Sequence, residues 1–144
     1  MLSRRGSGSA CRSVSGPFMT WEGEFAEDFL SDWKLYDTIV LLSKEEKAVS
    51  SSEGHARACS NPKMNSRLKQ IPERFEQVKN YIQSKNLESL GRLLEEEALE
   101  MHRIAETSSP PIQYLSEDSR NVIHALQNCP CLLYTSDAAD ESTC

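Results

Sequence analysis

No stretch of this chain approaches the length of an apolar membrane span, and no two cysteines have the C-x-x-C spacing of a redox or zinc motif. The positively charged start, Met1-Leu2-Ser3-Arg4-Arg5, lacks the apolar run that a secretory signal requires. A cytoplasmic chain without membrane contact is therefore expected. Basic residues are also scarce: 16 Lys and Arg against 22 Asp and Glu give a formal charge of -6, which argues against non-specific binding of nucleic acid. Five cysteines, an odd number, favour free thiols in such a chain. Zinc needs four well-spaced ligands, and His55, His102 and His124 stand singly, so Cys129-Pro130-Cys131 is not expected to hold a metal.

What remains is the composition of one soluble domain with a modest core: 144 residues, 38% hydrophobic and 26% charged. One stretch carries chemistry. Gly6-Ser7-Gly8-Ser9-Ala10-Cys11-Arg12-Ser13 combines glycines that allow close backbone approach, a serine (Ser7 or Ser9) able to cap a helix, and a cation one turn later. The N–H groups of a helix start attract an anion, and Arg12 can close over the same phosphate or carboxylate. On the residues alone, an ordinary helix cap without a ligand remains the alternative. The Ser50-Ser51-Ser52-Glu53-Gly54 cluster repeats the pattern before a helix expected through Ala56 to Ala58.

Between these sites, Phe18 to Trp21 reads as a strand, and Asp37-Thr38-Ile39-Val40-Leu41-Leu42-Ser43 as a clearer one, covered on both faces. The acidic stretch from Glu22 to Asp32 reads as a surface connection or a short amphipathic turn. The second half is helical. Leu68, Ile71, Phe75, Val78 and Ile82 recur at steps of three and four, with the regular helix expected to start near Pro72. Asn86 caps the next helix, whose stripe is Leu87, Leu90, Leu94, Ala98, Met101 and Ala105; the short link at Ser84 and Lys85 makes the two antiparallel. Glu95-Glu96-Glu97 reads as a solvated face. Ser108-Ser109-Pro110-Pro111 ends this helix, and Ser116 with Glu117 and Asp118 opens another with the stripe Val122, Ile123, Leu126. The fold class expected is α+β, a small, partly antiparallel sheet covered by helices.

Gly6 to Ser13, continued by Gly16 and Phe18-Met19-Thr20-Trp21-Glu22, resembles the G-S-G-S-A-C-R-S…G-G-F-x-x-W segment of mevalonate diphosphate decarboxylases, which belong to the GHMP kinase superfamily. Val49 to Gly54 resembles that family's S-x-x-G-M segment, Met101-His102 its M-H pair, and Pro110-Pro111-Ile112-Gln113-Tyr114 its P-P-[IF]-x-Y loop. Pro17, Thr20 and His55 depart from the pattern, and none is a phosphate ligand. The resemblance implies an incomplete GHMP-kinase-type fold over residues 1–129, the middle and C-terminal part of such an enzyme. It further implies ATP with Mg²⁺ as cofactors, phosphorylated mevalonate as substrate, a role in isoprenoid biosynthesis, and room for a homodimer in the intact enzyme. Ser7, Gly8, Ser9, Arg12 and Ser51 fall on substrate-binding positions, Ser51 on the family's diphosphate-contacting serine, and Ser9 and Arg12 on those for the diphosphate and carboxylate end.

The upstream loop that cradles ATP and the D-A-G-P-N segment with the catalytic aspartate are absent, so no catalytic residue is assigned and the chain alone is expected to be inactive. Cys131 to Glu141 resembles a translated sequencing adapter, making 130–144 a non-native tail in this reading. Tyr134 to Ala139 imitates the catalytic segment without its glycine, proline and asparagine, and Asp137 is given no role. A phosphomevalonate decarboxylase or a mevalonate 3-kinase would share these helix starts, and a non-catalytic helical interaction module is the alternative of another class.

Overall fold

A computed structural model describes residues 16–22, 25–36, 38–42 and 49–127. Among these the chain is α+β, with a two-stranded antiparallel sheet and four helices. It divides into two compact units, one running through Tyr36 and the other beginning at Asp37. The stretch Gly6 to Ser13 and the residues from 128 onward lie outside the described residues.

The first unit holds a hairpin of β1 (Met19–Glu22) and β2 (Phe25–Asp28), with Met19 opposite Asp28 and Glu22 opposite Phe25. The ladder extends through a bond from the Phe29 N–H to the Phe18 carbonyl at 2.9 Å. Gly16 has φ of +45°, and a Cβ there would lie 2.8 Å from Asp28 Oδ1; both facts call for glycine. The Phe18 to Trp21 strand is thus present, shifted by one residue, but the reading of Phe25 to Asp28 as a connection or turn is corrected. Cross-strand pairing decides that four-residue segment, because its own alternation is too short to announce a strand.

A second correction concerns residues 38–42, which form no strand. Ile39, Val40 and Leu41 are exposed rather than covered on both faces. A β-prone run becomes a strand only where another strand runs beside it, and no described strand pairs with this one.

The second unit is built on α1 (Ser51–Cys59), α2 (Pro62–Gln83), α3 (Leu87–Glu106) and α4 (Glu117–Gln127). The α2 helix starts at Pro62, so Pro72 lies inside it and not at its start. Pro72 and Leu68, whose carbonyl loses its partner to the proline ring, are both exposed, where water can replace the missing bond. The turn to α3 follows the 6→1 and 5→2 pattern of a left-handed helix end. Asn86 N–H donates to the Tyr81 carbonyl at 2.9 Å and Lys85 N–H to that of Ile82 at 3.2 Å, with Lys85 at φ of +54°. Asn86 then caps α3 by accepting from the Ser89 N–H at 3.0 Å, as its sequence position implied. Ser116 caps α4 in the same way, accepting from the Ser119 N–H at 3.1 Å.

The α2–α3 pair is clasped by ions. Arg67 Nη1 lies 2.5 Å from Glu97 and 3.3 Å from Glu100, while Arg74 pairs with Glu97 and, at 2.5 Å, with Glu100. Burial pushes the Glu100 carboxyl up, but the hydrogen bond and charge of Arg74, with those of Arg67, outweigh it and hold the group below its ordinary range. Glu97 is therefore not part of a solvated face. The core consists of Leu90, Leu93, Ile104 and Ala105 of α3, with Ile112, Leu115 and Ile123 beyond it. Leu87 and Met101, placed in the stripe by periodicity, are exposed instead. Contacts with α2 and with the chain after α3 rotate the buried face, and period alone does not contain them.

Asn61 ties the start of α2 to the end of α3. It is buried, and its Oδ1 accepts from the Lys63 N–H at 3.0 Å, capping α2. Its Nδ2 donates to the Ile104 carbonyl and to Thr107 Oγ1, both at 2.9 Å, so the amide also satisfies the last turn of α3. Asn61→Ala is expected to cost about 2–3 kcal/mol in urea unfolding, from a lost cap and an unpaired buried acceptor. Aspartate caps a helix as well as asparagine does but cannot donate. Asn61→Asp should therefore be destabilised comparably, and wild-type stability in that variant would show that the cap alone matters.

Candidate functional site

The α1 helix begins where the serine cluster ends its extended approach. Ser50 has φ of -66° and ψ of 156°, and its hydroxyl accepts from the Glu53 N–H at 3.3 Å. Ser51 is the first helical residue, so Gly54 lies inside the helix and not ahead of it, a correction to the expected start near Ala56. Glu53 in the first turn would oppose an anion, but it pairs with Arg57 one turn on. The Ser51 position is three and four residues before Gly54 and His55, on the same side of the helix.

That side borders a cavity of about 150 Å³, lined by Gly54 and His55 from α1, Arg67 from α2, Met101 and His102 from α3, and Tyr114. Three sequence segments distant in the chain converge here: the serine–glycine helix start, the Met-His pair and the Pro-Pro-Ile-Gln-Tyr loop. The Tyr114 ring meets His102 edge-on, with centroids 6.5 Å apart and an interplanar angle of 68°. Gly54 is buried, and a methyl group there would overlap the Tyr114 hydroxyl. The loop after α3 reaches this position because its backbone folds back on the helix end. Ile112 N–H donates to the Ala105 carbonyl at 3.0 Å, and the Ser108 hydroxyl lies 2.7 Å from the Ala105 and 2.9 Å from the Pro110 carbonyl oxygen.

Electrostatically the cavity is quiet. Arg67 is held by two carboxylates. Burial pushes the His102 imidazole below its ordinary 6.5, Glu106 opposes this, and Arg120 adds to it. His102 is thus a buried histidine held toward its neutral form, while His55 and His124 are exposed. The walls pack against and support the start of α1, where the Glu53 and Gly54 N–H groups donate to Ser50.

Residues 38–139 match the family model described as the mevalonate 5-diphosphate decarboxylase C-terminal domain. The chain belongs to this family. The matched span runs past Pro130, into the segment set aside as a tail. The diphosphomevalonate decarboxylase of Schizosaccharomyces pombe is 30% identical over 140 residues, covering 88% of this chain and 36% of that protein. The crystal structure of mevalonate diphosphate decarboxylase from Staphylococcus aureus aligns at a TM-score of 0.81 and 30% identity, over 96% of this chain and 47% of that one. A structure of MDDEF in complex with MVAPP, AMPPCP and magnesium aligns at 0.76 and 29% identity, over 96% and 47%. The chain spans about a third of the length of the curated relatives it matches. These decarboxylase folds are the architecture that the resemblance implied.

Of the five candidate substrate-binding residues, Ser51 sits at the start of α1, on the helix that borders the cavity. Ser7, Gly8, Ser9 and Arg12 lie outside the described residues. Sequence reasoning assigned no role to Tyr114 or Arg67. The loop containing Tyr114 was recognisable, but its contact with Gly54 spans sixty residues and no local pattern encodes it.

A pH dependence follows from His102. Unfolded, it takes up a proton near pH 6.5; folded, with its pKa depressed, it resists doing so. Between the two values the unfolded state binds more protons, so His102 stabilises the fold fully above pH 6.5 and loses that contribution as pH falls below it. The melting temperature should drop between pH 7.5 and 5.5, and less steeply in His102→Gln; equal slopes would assign the drop to other groups.

Proposed function

We propose that this chain is part of an ATP-dependent decarboxylase that converts mevalonate 5-diphosphate to isopentenyl diphosphate, ADP, phosphate and CO₂. The observation that carries the reading is the convergence of the serine-capped α1, the Met101-His102 pair and Tyr114 on one cavity, within a fold shared with mevalonate diphosphate decarboxylases. A diphosphate carries several negative charges. The start of α1 at Ser51 and the Ser7-Gly8-Ser9…Arg12 segment supply N–H groups, hydroxyls and a guanidinium suited to it. Binding energy gathered at that end aligns the distant tertiary hydroxyl for phosphorylation, the step that precedes loss of phosphate and CO₂.

ATP and magnesium enter through the family: AMPPCP and magnesium accompany MVAPP in the MDDEF structure. No group of three or more acidic, histidine or cysteine side chains able to hold a metal occurs among the described residues. The described residues therefore do not fit the ion. ATP phosphates, magnesium and the catalytic aspartate belong, in this reading, to the remainder of the enzyme, and residues 130–144 to a tail foreign to it. A cytoplasmic location accompanies the proposal; no described helix is long and apolar enough to cross a membrane.

The test is ADP and CO₂ release by the full-length enzyme supplied with mevalonate 5-diphosphate. Arg12→Ala and Ser51→Ala should each lower kcat/KM, Arg12→Ala by about 10²-fold or more, since it removes a charge-assisted contact to the diphosphate. The 144-residue chain by itself should release neither product. ADP release without CO₂ would point to a 3-kinase, and preference for the monophosphate to a phosphomevalonate decarboxylase. Absence of any turnover would favour a non-catalytic module.

A further inference from the structure

Tyr114 touches the α1 helix at Gly54, the position one turn beyond Ser51, and at that point the helix has no side chain of its own. The ring also meets His102 edge-on, a residue that is 4% exposed and sits on the buried face of α3 near its C-terminal end. The loop that carries Tyr114 is itself pinned to the end of α3 through the Ile112 N–H and the Ser108 hydroxyl. A nine-residue helix is too short to hold its own geometry, so its rotation and axial position are fixed by what it packs against. An aromatic ring wedged against a glycine, backed by a buried imidazole, supplies that constraint.

We infer that Tyr114 is a positioning residue for the phosphate end of the substrate: braced by His102 and seated on Gly54, it sets where the first turn of α1, with Ser51, meets the diphosphate. The inference rests on the diphosphate reading above and adds to it a residue that touches no substrate atom. The glycine at position 54 then has a specific reason, since any side chain would push the ring away or push the helix start out of register with its ligand. Small displacements at such a site are costly because contacts to an anion depend on aimed donors.

The geometry makes the test reciprocal. Gly54→Ala puts a methyl group into the Tyr114 hydroxyl, whereas in Gly54→Ala/Tyr114→Phe the nearest ring atom is Cζ, 3.3 Å away, a tight but tolerable contact. In the full-length enzyme, Gly54→Ala should raise KM for mevalonate 5-diphosphate about tenfold while KM for ATP stays within about twofold, and the double variant should recover most of the loss. Tyr114→Ala, which removes the wedge without a clash, should also raise KM for mevalonate 5-diphosphate selectively, and it keeps the inference testable should Gly54→Ala fail to fold. A merely structural role would lower the folded fraction and leave both KM values unchanged, or shift them together. An active wild type with unaltered KM in Tyr114→Ala, or no recovery in the folded double variant, overturns the inference alone. A wild type with no mevalonate 5-diphosphate-dependent turnover overturns the functional reading and the inference with it.

Discussion

The helical unit depends on one buried amide. Asn61 sits between α1 and α2, accepts from the Lys63 N–H to start one helix, and donates to Ile104 and Thr107 at the end of another. A helix terminus left unpaired in a dry environment is expensive, and two termini meeting at one side chain solve both problems with the groups a single asparagine carries. The Ser108 hydroxyl completes the arrangement next door, bonding within the same α3 end. Next to that junction, the Ile112 N–H and Ser108 hydroxyl hold the loop after α3 back against the helix end, and Tyr114 of this loop meets Gly54.

The ion cluster along the α2–α3 hairpin is of a different kind. Arg67, Arg74, Glu97 and Glu100 alternate in sign and share partners, so that each side chain already restrained lowers the entropic cost of ordering the next. Arg67 borders the cavity yet is occupied by carboxylates, which keeps an unpaired charge out of a mostly apolar space. Cationic help for a diphosphate must then come from elsewhere, and Arg12 is the residue proposed for it.

Much of the helical half was legible because its signals are local. Asn86 and Ser116 announce caps, and three- and four-residue spacing announces the α2 helix itself, although Leu68 and Ile71 of its expected stripe are exposed and no residue of α2 is buried. The misreadings share one cause, dependence on a partner remote in the chain. Residues 38–42 have strand composition but no described neighbour to pair with, and Phe25–Asp28 has modest strand composition but a paired neighbour, β1. Pro72 was expected to mark a helix boundary; on an exposed face its missing N–H is tolerable and α2 continues through it. Glu97 was expected in solvent because a run of three glutamates carries no sign of the arginines across the hairpin.

The candidate site divides along the same line. Its pieces were readable as motifs: serines before a glycine, a Met-His pair, a Pro-Pro loop ending in Tyr114. Residue types and spacings by themselves determined the helices, their caps, and the family to which the chain belongs, because all of these rest on short-range backbone chemistry or on strings preserved in order. Only the tertiary structure decided that Gly54, His102 and Tyr114 meet around one cavity, that Ser51 begins the helix they border, and which face of α3 is buried. Those outcomes follow from where the chain returns after α3, and that path is held by the Ile112 and Ser108 bonds to the end of the helix rather than by any pattern within a single element.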